Sequence, residues 1–337
     1  MTIRLTVGDP RRLRNSSVSQ RPSGECDQVV LTVAYVWWFP SLLDGRAWWP
    51  YAGDMGKRRP YRTDVTDEEW ALIEPTLSAW REERHFIKTA TTPLREIVNA
   101  ILYQNRTGCQ WDLLPHDLPP SSTVYDYYSA WHRDGTDRRI HDLLRRQVRR
   151  AAGRNEEPSA MCIDSQSVDT AFTAARQTIG FDGNKRRLGR KRHAAVDTMG
   201  LLPEARVTAA NLHDLRGGEQ LVDAVHERHP TVVKAWADQA YVSLPDYAKD
   251  AGIDLEVTTK VAGVSGLTPA PQRWKSERTF GWFSRSRRLS QDYEKLPSSA
   301  QSQIRRSMIG IMLRRLTGRS PRTRYRTSAN TPTPAPA

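Results

Sequence analysis

Residues 160–164 read AMCID, and residues 232–238 read VVKAWAD. Each stretch is a short, largely apolar run that ends on an aspartate, the pattern of a buried strand with a carboxylate at its end. Because α/β sheets place functional groups at the C-terminal tips of their strands, Asp164 and Asp238 are candidates for one site. Glu277 follows in a predicted helix that otherwise carries positive charge, and three such carboxylates could hold divalent cations. With 38 acidic residues the chain offers many similar triples, so this pattern alone does not settle the site.

Strands and helices alternate around these aspartates, in a region predicted as one domain over residues 158–316. Apolar runs predict strands, and residues with helical spacing predict helices between them. The order is three strands, helix, strand, helix, strand and two basic helices, which predicts a mixed α/β sheet. The predicted strands are 160–163, 193–197, 202–209, 232–237 and 254–258, and the predicted helices are 218–228, 245–250, 273–289 and 298–315.

A helical domain is predicted before the sheet, over residues 55–152. Thr66 and Glu69 form a capping box, and apolar residues up to Trp80 share one helical face. Ser121 or Ser122 is expected to cap a third helix. The fourth helix has a basic face, which suits either a helix-turn-helix-like DNA-binding module or an ordinary bundle with a solvated charged face. That face consists of Arg138, Arg139, Arg145, Arg146, Arg149 and Arg150.

The charge balance predicts a polyanionic partner. The chain has 51 Lys and Arg against 38 Asp and Glu, a net charge of +13, and nucleic acid is the simplest partner for that excess. With 11 Trp, 11 Tyr and 6 Phe it is not a fully disordered chain. The apolar stretch 29–43 is shorter than the ~20 residues of a spanning helix, so no membrane is expected. The three cysteines form no C-x-x-C pair, which favours a reducing cytoplasm.

The two ends of the chain differ from the rest. Residues 1–54 show no clear periodicity, and well-patterned sequence begins just after Met55. We interpret this extension as non-native, with translation starting at Met55, or as a disordered segment. Residues 317–337 are rich in Arg, Thr, Ser and Pro and are expected to form a disordered tail.

Several separated stretches of the chain are distinctive motifs. In the α/β region these motifs are DSQSV at 164–168, GRKRH at 189–193, VDTMG at 196–200, WADQAY at 236–241, ERTFGW at 277–282, RRL at 287–289 and DYE at 292–294. In the helical region they are LREIVNAILY at 94–103, RTGCQW at 106–111 and LPHD at 114–117. Together they resemble bacterial DDE transposases, most closely the insertion-sequence-five family. The likeness extends from about residue 61 to residue 315, and the motifs follow the order of the family.

The resemblance implies a ribonuclease-H-like catalytic domain with Asp164, Asp238 and Glu277 as catalytic residues and metal ligands. Two Mg²⁺ ions are expected there, and Mn²⁺ is expected to substitute. The implied partners are the terminal inverted repeats and target DNA, held by a homodimer on paired ends. The resemblance also implies a bacterial cytoplasmic protein that associates with the nucleoid and has no small-molecule substrate.

DNA contacts are expected from basic residues around these motifs. The resemblance places an Arg four residues before the catalytic Glu, and Arg273 fills that position. Two departures occur, because Pro269 and Ala270 stand where a Tyr is expected, and Ser284 stands where a basic residue is expected, with Arg285 next to it. The full set of expected DNA-binding residues is Lys185, Arg186, Arg187, Arg190, Lys191, Arg192, Arg273, Arg278 and Arg285.

Two other functions are compatible with the same sequence. Residues Gln239 and Ala240 stand where a Gly before the Tyr is usual, which would suit an inactive, element-derived DNA-binding protein. A nuclease on the same fold, cleaving without strand transfer, is the second alternative.

Overall fold

Six strands form one mixed sheet in the computed structural model, which describes residues 58–84, 91–258 and 272–319. The strand order is β2-β3-β1-β5-β6, and β4 also pairs with β3. This confirms the predicted mixed α/β sheet. The strands are β1 (Ala160–Asp169), β2 (Gly180–Asp182), β3 (Arg187–Asp197), β4 (Glu204–Ala209), β5 (Lys234–Ala237) and β6 (Asp254–Val257).

The register of the central strands brings the two candidate aspartates together. β1 runs antiparallel to β3 and parallel to β5, and Cys162 lies opposite Trp236. Asp164 and Asp238 each follow two residues later on these neighbouring strands. β5 ends at Ala237, whereas β1 continues past Asp164 to Asp169. Both carboxylates lie just beyond the last residues that pair β1 with β5, so they are close to each other.

Helices precede the sheet and cover it. Thr66 accepts a hydrogen bond from the Glu69 N–H and completes the predicted capping box. The helical face predicted through Trp80 is divided between two helices, because Pro75 lacks an N–H and favours the first turn of a new helix. The helices are α1 (Asp67–Ala71), α2 (Glu74–Glu82), α3 (Leu94–Thr107), α4 (Ser121–Arg133), α5 (Thr136–Ala151), α6 (Asp214–Arg228), α7 (Leu244–Asp250), α8 (Trp274–Phe283) and α9 (Pro297–Leu316).

The helical region and one face of the sheet share a hydrophobic core. Leu144 of α5, Met312 of α9 and Val196 of β3 belong to this single cluster. A second cluster fills the opposite face, where α6 and α7 pack on β1 and β5 through residues such as Ile163 and Val222. The sheet is therefore buried on both faces, and its strand ends are left to form a site.

Four local predictions were wrong. The first strand does not end at Asp164, because β1 continues to Asp169 in its pairing with β3. β3 begins at Arg187, six residues earlier than predicted, and pairs with β2, which was not predicted. The predicted helix 273–289 ends at Phe283, and residues 287–289 form a separate 3₁₀ turn. Pro120 occupies the N-cap of α4 and the cap makes no side-chain hydrogen bond, so neither serine caps that helix.

Parts of the sequence analysis concern residues that lie outside the described ones. These are the extension at residues 1–54 and all but the first three residues of the tail at 317–337. Among the residues that are described, no helix is long and apolar enough to cross a membrane.

Candidate active site

Asp164 is a buried carboxylate in the central strand β1. Its Oδ1 accepts a hydrogen bond from the Ser165 N–H at 2.7 Å, and its Oδ2 accepts one from the Ser276 hydroxyl at 2.8 Å. Burial raises the pKa of Asp164, and the nearby Asp238 charge adds to that effect. Among the described residues, Asp164 forms no ion pair. The site therefore contains a carboxylate whose negative charge is poorly compensated.

Asp238 lies directly after β5, at the same edge of the sheet. Its Oδ1 accepts a hydrogen bond from the Ala240 N–H at 3.0 Å and caps the short 3₁₀ turn that follows the strand. Its Oδ2 lies 3.5 Å from the Arg273 guanidinium, which is about one-fifth exposed. Arg273, expected four residues before Glu277, is thus positioned at the candidate carboxylates.

Helix α8 begins beside Asp164 and carries Glu277. Ser276, Thr279 and Phe283 form its buried face, and the Thr279 hydroxyl donates to the Gly200 carbonyl at 2.9 Å. Glu277 lies in the first turn, next to Ser276, and is exposed to solvent. The structure therefore brings Asp164 and Asp238 close together, whereas Glu277 adjoins the residue that contacts Asp164 and forms no three-carboxylate group with them among the described residues.

Ser276 was missed by the sequence analysis, although a signal exists for it. Its position three residues before Thr279 and seven before Phe283 is the spacing of a buried helix face. The hydroxyl also lies 2.7 Å from the Arg273 carbonyl. Ser276 therefore links the start of α8 to Asp164.

Asp214 was also missed, and no sequence pattern marks it, whereas Tyr241 belongs to the WADQAY motif but was given no role. Asp214, at the start of α6, accepts a hydrogen bond from the Ser165 hydroxyl at 2.7 Å and pairs with Lys191 at 3.1 Å. Burial opposes ionisation of Asp214, but these two partners outweigh it and lower its pKa. The Tyr241 hydroxyl is fully buried, and burial together with Asp214 and Asp164 raises its pKa.

The predicted DNA-binding residues of segment 185–192 divide into two groups. Lys185, Arg186 and Arg187 are exposed at the turn between β2 and β3. The other three, Arg190, Lys191 and Arg192, are buried within β3, each with no more than 4% of its surface exposed.

The buried group corrects the prediction of DNA contact for Arg190, Lys191 and Arg192. Arg190 donates to the Glu294 carbonyl at 2.8 Å and pairs with Asp292 at 3.2 Å. Arg192 donates to the Leu289 carbonyl at 2.8 Å, and Lys191 donates to the Leu212 carbonyl at 2.9 Å. Their charges are engaged inside the fold, where phosphate does not reach them.

Arg278 and Arg285 lie on and just after α8. The guanidinium of Arg278 stacks between the rings of Trp274 and Trp282, 4.5 and 4.8 Å from their centroids. Burial lowers the pKa of Arg278. Arg285 is exposed, and its carbonyl accepts a hydrogen bond from Arg106. Arg278 lies on the helix that carries Glu277, and Arg285 lies just after the end of that helix.

Two family models match consecutive parts of the chain. The model of a transposase of the IS4/5 family, DUF4096, matches residues 65–141, and the model of a transposase DDE domain matches residues 155–309. The chain belongs to the IS4-like superfamily of DDE transposases. The α/β part of this transposase is thereby ribonuclease-H-like, as the resemblance implied. No curated protein and no solved structure matches the chain.

DDE transposase domains generally use divalent metal ions. The carboxylates of this transposase are chemically suited to bind such ions. Carboxylate oxygens are ligands that Mg²⁺ prefers, and a cation beside Asp164 would compensate the charge that burial disfavours. Within the described ranges, no three His, Cys, Asp or Glu side chains converge into a ready-made metal-binding group. The chemistry of the neighbouring Asp164 and Asp238 fits a cation, and the exposed Glu277 does not converge with them.

Proposed function

We propose that this transposase binds the terminal inverted repeats of its own element, cleaves DNA there with divalent cations and joins the cut end to target DNA. The observation that supports this most is the register of β1 and β5. This register supports a site in which Asp164 and Asp238 lie close together, and Ser276, the neighbour of Glu277, donates a hydrogen bond to Asp164. Such a cluster of carboxylates suits phosphodiester cleavage by two metal ions.

In this proposal Asp164, Asp238 and Glu277 would hold the cations. When bound, these ions would stabilise charge on the phosphate and favour ionisation of the attacking water. Ser276 holds one oxygen of Asp164, and Arg273 holds Asp238, so both carboxylates are oriented before DNA arrives. Attack by water forms a P–O bond to the 5′-phosphate and breaks the P–O bond to the 3′-oxygen, which takes up a proton and leaves as a 3′-hydroxyl. That hydroxyl then attacks a target phosphodiester, forms a new P–O bond, and displaces a 3′-hydroxyl of the target strand.

The wider setting follows from the resemblance. We propose that two copies act on paired ends and that the helical region contributes to repeat binding. We propose that the protein acts in the bacterial cytoplasm, at the nucleoid, where its DNA substrates lie.

The first test is DNA cleavage by the full chain and its Asp238→Asn variant. The substrate is a duplex carrying the genomic sequence that flanks the gene, incubated with Mg²⁺ or Mn²⁺. We expect metal-dependent nicking at the repeat boundary, reduced about a thousandfold or more in the variant, because a charge-stabilising ligand is lost. Asp246→Asn is the matched control, since Asp246 is an exposed aspartate on α7. Nicking that survives Asp238→Asn would refute the assignment.

DNA binding and Mn²⁺ titration distinguish the alternatives. Asp164→Asn should abolish cleavage and retain DNA binding, since binding does not depend on that carboxylate. An inactive DNA-binding protein would bind the flanking duplex without cleaving it or binding Mn²⁺. A nuclease without strand transfer would nick the duplex but never join it to a second DNA.

A further inference from the structure

The hairpin of β2 and β3 displays two large apolar side chains to solvent. Phe181 on β2 and Leu188 on β3 are directly opposite each other, and they are 57% and 62% exposed. Residues paired in this way point to the same face of a hairpin. Together they form one small apolar surface at the edge of the sheet, which we term the hairpin wedge (Phe181 and Leu188).

The hairpin is held rigidly to the rest of the sheet. Asp182, the last residue of β2, accepts a hydrogen bond from the Ser167 hydroxyl of β1 at 2.6 Å. Its other oxygen accepts the N–H groups of Asn184 and Lys185, each at 3.1 Å, and so fixes the turn. Gly180 also lies against Asn211, where a Cβ would overlap that side chain. The wedge is therefore preorganised, and little ordering is lost if it binds a partner.

The turn of this hairpin is basic and adjoins the candidate active site. Lys185, Arg186 and Arg187 are exposed, and Arg187 pairs with the half-exposed Asp169. The Lys185 ammonium lies 3.3 Å from the carbonyl of Ser165, the residue that follows Asp164. Duplex DNA carries charged phosphates on its outside and stacked apolar bases inside. Cations beside an apolar wedge, close to a candidate phosphodiester-cleaving site, are complementary to these two parts of the duplex.

We propose that the hairpin is a DNA-distorting element: its basic turn contacts phosphates while Phe181 and Leu188 enter a groove and unstack a base step near the scissile phosphate. This inference rests on the proposed function, and it gives the hairpin the task of distorting the DNA, which the carboxylates cannot perform. Apolar wedges inserted between bases kink a duplex, and a kink exposes the phosphodiester backbone to an active site.

The test uses short duplexes from the genomic flanks of the gene, each with a single 2-aminopurine, whose fluorescence rises when it is unstacked. We expect the full chain to raise the signal at one step. Phe181→Ala with Leu188→Ala should abolish that rise and weaken binding by about tenfold. Val233→Ala is the control, because Val233 is an equally exposed apolar residue beside β5 and away from the hairpin.

A charge variant separates the two roles of the hairpin. Lys185→Gln with Arg186→Gln should lower the slope of log affinity against log salt by about 2, because two phosphate contacts are lost. The wedge variant should leave that slope unchanged. Full-length protein that gives no unstacking at any position, or a wedge variant that unstacks as the wild type does, would overturn the proposal. A change of oligomeric state in the wedge variant with unchanged DNA binding would assign the surface to a second copy instead.

Metal-dependent nicking in the same samples keeps this proposal distinct from the proposed function. If the wild type unstacks a base but never nicks, the proposed chemistry fails and the wedge stands. If it nicks equally well with and without the wedge, the wedge fails and the chemistry stands.

Discussion

The basic face of α5 and the basic turn of the β2–β3 hairpin differ in what their charges contact. On α5, Arg138 pairs with Glu204 at 2.7 Å, and Arg149 pairs with the fully buried Asp197. At the hairpin turn Arg187 pairs with Asp169 at the surface, whereas Lys185 and Arg186 have no ion pair among the described residues, and Lys185 contacts neutral oxygens of Ser165. The buried α5 arginines are thus neutralised within the fold, and the two unpaired hairpin cations are available to a polyanion.

This difference separates two uses of positive charge. A buried arginine with a carboxylate partner maintains the fold, because removing either member leaves an uncompensated charge. An exposed cation contributes little to stability but adds directly to phosphate affinity. Neutralising a buried arginine should therefore lower the free energy of unfolding, whereas neutralising an exposed hairpin cation should mainly weaken DNA binding.

The largest expected effect is on stability, from Arg149→Met. Asp197 would keep its hydrogen bonds from the Met199 and Leu201 N–H groups but lose its counter-charge inside the core. We expect the free energy of unfolding to fall by about 3–5 kcal/mol, measured by urea denaturation.

Arg150→Met is the matched control for this substitution. Arg150 lies on the same helix and pairs with Glu156, but both side chains are largely exposed. Its loss should cost less than about 1 kcal/mol. Equal losses in the two variants would show that the α5 face is not divided into buried and exposed pairs.

Local apolar runs predicted the mixed sheet and the starts of β1 and β5, although β1 continues past Asp164 to Asp169. The prediction failed for Arg190, Lys191 and Arg192, which were expected to contact DNA and are buried. The partners of Arg190 and Arg192 come from residues 289–295, about a hundred positions away, and no local pattern reveals them. Ser276 is similar, since it contacts Asp164 on a distant strand. Local apolar runs could be interpreted from the sequence, whereas long-range polar partners could not.

A smaller effect on the free energy of unfolding is expected at acidic pH, from the buried His193 of β3. Burial lowers the pKa of His193 to about 4, Lys191 and Lys185 add to this, and Asp214 opposes it. Its ring contacts the Thr208 hydroxyl at 2.9 Å and packs on Gly217 of α6.

The sign of the pH effect follows from this lowered pKa. An unfolded histidine titrates near 6.5, so the unfolded state binds the proton first, and stability is lost as the pH falls from about 6.5 to about 4. His193 should contribute up to about 3 kcal/mol of that loss. We expect His193→Gln to flatten the dependence of unfolding free energy on pH over this range, measured by urea denaturation at several pH values. Parallel curves for the two proteins would mean that His193 is not buried in its neutral form.

The smallest expected effect is on DNA binding by the exposed end of α5. Arg146 pairs with Glu157 at 2.6 Å, a carboxylate that it shares with Arg145, and Arg150 pairs with Glu156, so both guanidinium groups already have a carboxylate partner at the surface. Arg146→Gln with Arg150→Gln should change affinity for the flanking duplex by less than about threefold and leave the salt slope almost unchanged, measured by fluorescence anisotropy across a salt series. The same number of charges removed at the hairpin turn should lower the slope by about 2. A fall of that size from the α5 variant would restore the helix-turn-helix-like interpretation, because the ion pairs would then have opened to release both arginines to phosphate.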